Sequence, residues 1–135
     1  VLPNIYKPAQ LGEINCRILV VDDEPSVLSS FKNILHNCDV TTAANADTAL
    51  RHIESDEFDI VFCDIVMPGI TGPEFHKMVG ATKPEMLSRF VLMSAGYPHQ
   101  DPNSDLPDTP FLQKPFSLSD VHRLIQDVHG QVSRP

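Results

Sequence analysis

From Cys16 onward, short β-branched apolar runs alternate with longer stretches whose apolar residues recur at helical spacing. A repeated strand and helix rhythm requires right-handed crossovers between parallel strands, and the economical architecture is an open doubly wound α/β sheet. Arg17 to Val21 is nearly continuous Ile, Leu and Val, as a parallel strand covered on both faces must be. Val27, Leu28, Phe31, Ile34 and Leu35 then share one helical face behind Pro25, which suits a first helical position. A weaker strand over Val40 to Ala44 leads to Asn45 as a helix cap and to a helix through Ala46, Ala49, Leu50 and Ile53. Asp59 to Cys63, Phe90 to Ser94 and Phe111 to Lys114 read as strands 3, 4 and 5. Met67 to Gly72 reads as a loop, because Pro68 lacks an N–H and two glycines permit positive φ; a short helix around Glu74 to Val79 follows. Ser117 to Asp120 has the pattern of a capping box and opens a last helix through Val121, Leu124, Ile125 and Val128. Between Gly96 and Pro110 stand Pro98, Pro102, Pro107 and Pro110, so a helix between strands 4 and 5 is expected to be irregular or missing.

Length and charge narrow the function. A chain of 135 residues fits one domain with one core, and 41% hydrophobic with 21% charged residues is too apolar for a disordered chain. The net charge of -8 argues against direct nucleic-acid binding, which needs clustered Lys and Arg to displace counterions. No apolar stretch reaches the length of a membrane span and no signal peptide pattern opens the chain, so no membrane contact by this domain is expected. Cys16, Cys38 and Cys63 are odd in number, widely spaced and flanked by apolar runs, which reads as buried reduced thiols and suits a cytoplasmic setting. The six histidines lack His-x-x-x-His spacing and a nearby Cys pair; they are read as solvated surface without a metal. Val1 in place of Met is expected of a piece cut from a longer protein, though processing or trimming gives the same start.

In doubly wound sheets, ligands bind at the carboxyl ends of strands beside a topological switch point. Asp22 and Asp23 follow strand 1, Asp64 follows strand 3, Ser94 closes strand 4 and Lys114 closes strand 5. In the strand order 2-1-3-4-5, strands 1 and 3 are neighbours about 4.8 Å apart, and three carboxylates converge. Such a cluster must raise a pKa, recruit a cation, or both; hard oxygen ligands favour Mg²⁺, which readily bridges a phosphate. One carboxylate oxygen is then left as a nucleophile, with Lys114 as a mobile point charge and Ser94 as a hydroxyl donor.

These residues resemble the receiver domain of two-component response regulators. The resemblance spans roughly Cys16 to Gly130 and rests on Ile18-Leu-Val-Val-Asp-Asp-Glu-Pro25, Asp64-Ile-Val-Met-Pro-Gly-Ile-Thr-Gly72, Met93-Ser-Ala95 and Phe111-Leu-Gln-Lys-Pro-Phe116, each at the end of the right strand. It implies that Asp64 is the phosphoacceptor and that Asp22, Asp23, Asp64 and the backbone carbonyl of Val66 hold Mg²⁺. It also implies that Ser94 and Lys114 contact the phosphoryl group and that Phe111 is the aromatic that turns inward on activation. It further implies a flavodoxin-like fold, a cis Lys114-Pro115 bond, and a histidine kinase or histidine phosphotransfer domain as partner. The stretch from His76 to Gly96 resembles receivers at the C-terminus of hybrid sensor histidine kinases, with a stand-alone receiver as the alternative. Residues 1–15 would then be a linker or N-terminal extension, 16–130 the receiver domain and 131–135 a C-terminal tail.

Blander readings stand beside these. Asp22 and Asp23, taken alone, equally suit the N-terminus of the helix at Pro25, where carboxylates contribute ~0.3–1 kcal/mol. Asp64 could close a loop turn, Lys114 could lie on the surface, Ser ends many strands, and Phe111 could be plain core. Two other functions compete. A haloacid-dehalogenase-like phosphatase also uses an Asp nucleophile and Mg²⁺, but wants a second Asp where this chain has Val66. A receiver-like interaction module without phosphorylation is disfavoured by the complete set of Asp22, Asp23, Asp64, Ser94 and Lys114.

Overall fold

A computed structural model describes residues 16–35, 38–95 and 108–133, the last four as backbone only. Five strands alternate with helices: β1 (Arg17–Val21), α1 (Pro25–Ile34), β2 (Asp39–Ala43), α2 (Ala46–Ser55), β3 (Ile60–Asp64), α3 (Gly72–Thr82), β4 (Phe90–Ser94), β5 (Phe111–Gln113) and α4 (Leu118–Ser133). A 3₁₀ turn over Pro84–Arg89 joins α3 to β4. All strand pairs are parallel, in the order β2-β1-β3-β4-β5.

The pleat sends alternate residues of each strand to opposite faces, and two cores result. Ile18, Val20, Ile60 and Phe62 pack with Phe31 and Leu35 of the α1 region and with Val121, Ile125 and Val128 of α4. Leu19, Val21, Val61 and Cys63 pack with Ala49 and Ile53 of α2 and with Phe75 and Val79 of α3. Helices therefore cover both faces, as the unbroken Ile, Leu and Val runs require.

Local chemistry starts each helix. Pro25 begins α1, and Asn45 caps α2 by accepting from Thr48 N at 2.9 Å. Ser117 and Asp120 exchange hydrogen bonds of 3.1 Å at the head of α4.

Three local readings need correction. The third helix is longer than Glu74 to Val79, because a reciprocal cap between Thr71 and Glu74 starts it at Gly72, inside the expected loop. Gly69 does take a positive φ of 79°, but Gly72 is needed for a different reason: a Cβ there would collide with the Asp64 carbonyl. His76 is half-buried with its ring edge-on to Phe90 at 4.9 Å, not solvated. The 3₁₀ turn was not legible in the sequence. It buries Met86 and lets Arg89 Nη1 donate to Phe58 O at 2.8 Å. The expectation of a missing helix over Gly96 to Pro110 falls mostly on residues 96–107, outside the described residues. Among the described residues no helix is long and apolar enough to cross a membrane.

Candidate functional site

Backbone ladders fix the side chains at the carboxyl end of the sheet. Asp22 N donates to Ala43 O at 3.0 Å, one rung beyond β1 and β2. Ile65 N donates to Met93 O at 2.9 Å, which pins Asp64 as the last residue of β3. Lys114 N donates to Ser94 O at 2.9 Å, so β5 delivers the lysine beside the end of β4. The Lys114-Pro115 bond is cis.

Carboxylate oxygens of Asp22, Asp23 and Asp64 lie within 4.8 Å of one another. Asp22 is fully buried, Asp64 nearly so and Asp23 exposed. Lys114 Nζ sits 2.7 Å from Asp22 Oδ2, 3.5 Å from Asp64 Oδ2 and 3.3 Å from Glu24 Oε1. The lysine is off-line for a hydrogen bond to Asp22 Oδ2, which leaves that buried oxygen with a counter-charge but no aligned donor. Asp22 Oδ1 accepts from Glu24 N at 2.9 Å, and Asp64 Oδ1 from Val66 N at 3.4 Å.

Electrostatics follow from this crowding. Burial first, then the Asp22 charge, push the Asp64 carboxyl up to about 6, against the pull of Lys114 and the Val66 N–H. Burial acts to lower Lys114, but Asp22, Asp64 and Glu24 together outweigh it and hold the ammonium above its ordinary range. Among the described residues, an excess of negative charge therefore faces the Lys114 ammonium, in a cleft that would gain from a further cation.

The structure brings Asp22, Asp23, Asp64 and Lys114 together, with Ser94 partly exposed at the end of β4. Phe111 is half-buried against the core that Leu92 and Phe90 belong to. Val66 is among the most exposed apolar residues, at 71%. Glu24 was missed by sequence reasoning; its place directly after the paired aspartates was the only signal.

Residues 18–126 match the family model described as the response regulator receiver domain. The chain belongs to that family. Receiver domains are phosphoacceptor signalling modules of two-component systems, and they use Mg²⁺ at a cluster of acidic residues such as this one. A two-component response regulator of Oryza sativa subsp. indica is 31% identical over 121 residues, covering 85% of this chain and 19% of that protein. The alkaline phosphatase synthesis transcriptional regulatory protein PhoP of Bacillus subtilis is 27% identical over 119 residues, covering 85% of this chain and 49% of that protein. This receiver domain thus spans about a fifth to a half of those relatives. The chemotaxis protein CheY4 of Vibrio cholerae superimposes with a TM-score of 0.72 at 26% identity, covering 84% of this chain and 98% of that one.

Proposed function

We propose that this receiver domain takes a phosphoryl group from a phosphohistidine onto Asp64. The donor would be a histidine kinase or a histidine phosphotransfer domain. The observation that carries the reading is the meeting of Asp22, Asp23 and Asp64 within 4.8 Å, with Lys114 Nζ 3.5 Å from Asp64. With its carboxyl at about 6, Asp64 remains mostly ionised at neutral pH and keeps a lone pair to offer. One Asp64 oxygen forms the new P–O bond as the P–N bond breaks, and the donor imidazole takes the departing electron pair. Lys114 offsets charge on the phosphoryl oxygens, and the Ser94 hydroxyl donates to one of them.

The donor set fits Mg²⁺, since Asp22 Oδ2 is buried without an aligned hydrogen-bond donor and all three carboxylates are hard oxygen ligands. Asp22, Asp23, Asp64 and the Val66 carbonyl would hold the ion, which when bound supplies charge neutralisation for the anionic site and substrate. Phe111, half-buried at the core's edge, is positioned to move inward once Ser94 engages the phosphoryl group. Residues 16–130 are the proposed working unit, with 1–15 as a linker.

Intact mass after incubation with acetyl phosphate and Mg²⁺ tests the assignment. Wild type should gain one phosphoryl group and Asp64→Asn none; equal labelling of the two would overturn it. Transfer from a phosphorylated histidine phosphotransfer protein, followed by the same mass measurement, tests the donor class.

A further inference from the structure

The opposite end of the sheet gathers a second group of metal-binding side chains. Cys16 immediately precedes β1, Cys38 precedes β2 and Asp59 precedes β3, and these three strands are adjacent. Arg17 pairs with Asp39 in the register of β1 and β2, so Cys16 and Cys38 stand side by side one residue earlier. Their thiols share a hydrogen bond, which pushes Cys16 up and pulls Cys38 below the ordinary thiol range. His129 comes from α4, two turns beyond Val121 and one beyond Ile125 on the helix stripe that faces the sheet. A ligand atom from each of Cys16, Asp59 and His129 lies within 4.8 Å of the other two. Asp59 Oδ2 also accepts from Arg17 N at 2.7 Å, which orients a carboxylate that has a second oxygen to offer.

We propose that Cys16, Cys38, Asp59 and His129 form a Zn²⁺ site at the N-terminal end of the sheet, separate from the aspartate site. Two sulfurs, one imidazole nitrogen and one carboxylate oxygen make a borderline-soft donor set that suits Zn²⁺ and disfavours Mg²⁺ and Ca²⁺. A tetrahedral Zn²⁺ places its ligand atoms roughly 3.3–3.8 Å apart, so Cys16, Asp59 and His129, spread over at most 4.8 Å, need only a small closure, and Cys38 joins them from the neighbouring strand. Cys16 is fully buried and the other three are partly exposed, which leaves an entry path from solvent. From Cys16 to Asp22 the chain runs along β1 for about 20 Å at ~3.3 Å per residue, too far for one ion to serve both sites. Bound there, the ion would tie the end of α4 to the starts of three strands.

Co²⁺ titration of the domain tests this, in a phosphine reductant and saturating Mg²⁺. A thiolate-to-cobalt charge-transfer band is diagnostic, because the aspartate site holds no sulfur. One equivalent should produce the band, Zn²⁺ should abolish it, and Asp64→Asn should leave it unchanged. Cys38→Ser should roughly halve its intensity, and His129→Gln should weaken affinity by at least roughly tenfold while the fold persists. Absence of the band overturns the site. So does equal affinity in wild type and His129→Gln.

Discussion

Replacing Asp64 by Asn should make the metal-free domain more stable at neutral pH, even though it removes the proposed nucleophile. The Asp64 carboxyl stands at about 6 in the fold against 3.8 as its ordinary value, with burial as the first cause and Asp22 as the second. The folded state therefore binds more protons than the unfolded state between those values, and stability falls as pH rises through that window. At ~1.36 kcal/mol per pKa unit the full penalty is about 3 kcal/mol above pH 7. Half of that, about 1.5 kcal/mol, is the better expectation, because Asn still buries a polar amide. Below about pH 4 the penalty vanishes, since the carboxyl is protonated in both states. Urea unfolding of wild type and Asp64→Asn, with chelator present, at pH 4.5 and pH 7.5 reads the effect. The mutant should gain in midpoint at pH 7.5 and the gap should shrink at pH 4.5, while added Mg²⁺ should narrow it by stabilising wild type alone. A mutant less stable than wild type at pH 7.5, or a gap independent of pH, would refute the charge-crowding argument.

Lys114→Met should tighten Mg²⁺ binding by roughly 1–2 kcal/mol, because its ammonium sits 2.7 Å from Asp22 Oδ2 and competes for the same charge. Weaker binding by calorimetry would move the metal away from Asp22. Gly72→Ala should cost roughly 1–3 kcal/mol in a urea titration, since its Cβ meets the backbone at Asp64 and overpacking there has no flexible side chain to yield. Phe31→Ala should cost about 3–5 kcal/mol, because this fully buried ring packs on Phe62 at 4.9 Å and Phe116 at 5.0 Å. A loss under 1 kcal/mol would contradict the packing. Loss of the phosphoryl group from Asp64 should take minutes or longer, since exposed Val66 offers no polar group to orient an attacking water; a half-life of seconds by mass spectrometry would count against this.

The five strands, most of the helices and the end of the sheet that carries the chemistry were readable from the chain alone. Short unbroken β-branched runs alternating with helical spacing mark strands buried on both faces, helical spacing names the covering stripes, and in a parallel sheet every strand ends at the same rim. Asp22, Asp64 and Lys114 were readable for that reason, as were the caps at Asn45 and Ser117, which depend on neighbours three residues away. Thr71 and Glu74 have the same local spacing, and their cap starts the third helix at Gly72, ahead of the Glu74 that the loop reading of Met67 to Gly72 implies. What depends on closing distances across the chain was not legible. Glu24 reaches Lys114 across 90 residues, the raised Asp64 carboxyl depends on how much water the neighbouring elements exclude, and Gly72 is fixed by a carbonyl it approaches only after folding. Cys16, Cys38, Asp59 and His129 lack any recognisable spacing, and it is the registers of β1 with β2 and with β3 and the docking of α4 that bring them together. Periodicity fixes which face a side chain takes, whereas the few ångströms that decide an ion pair or a metal site are set by packing between elements far apart in sequence.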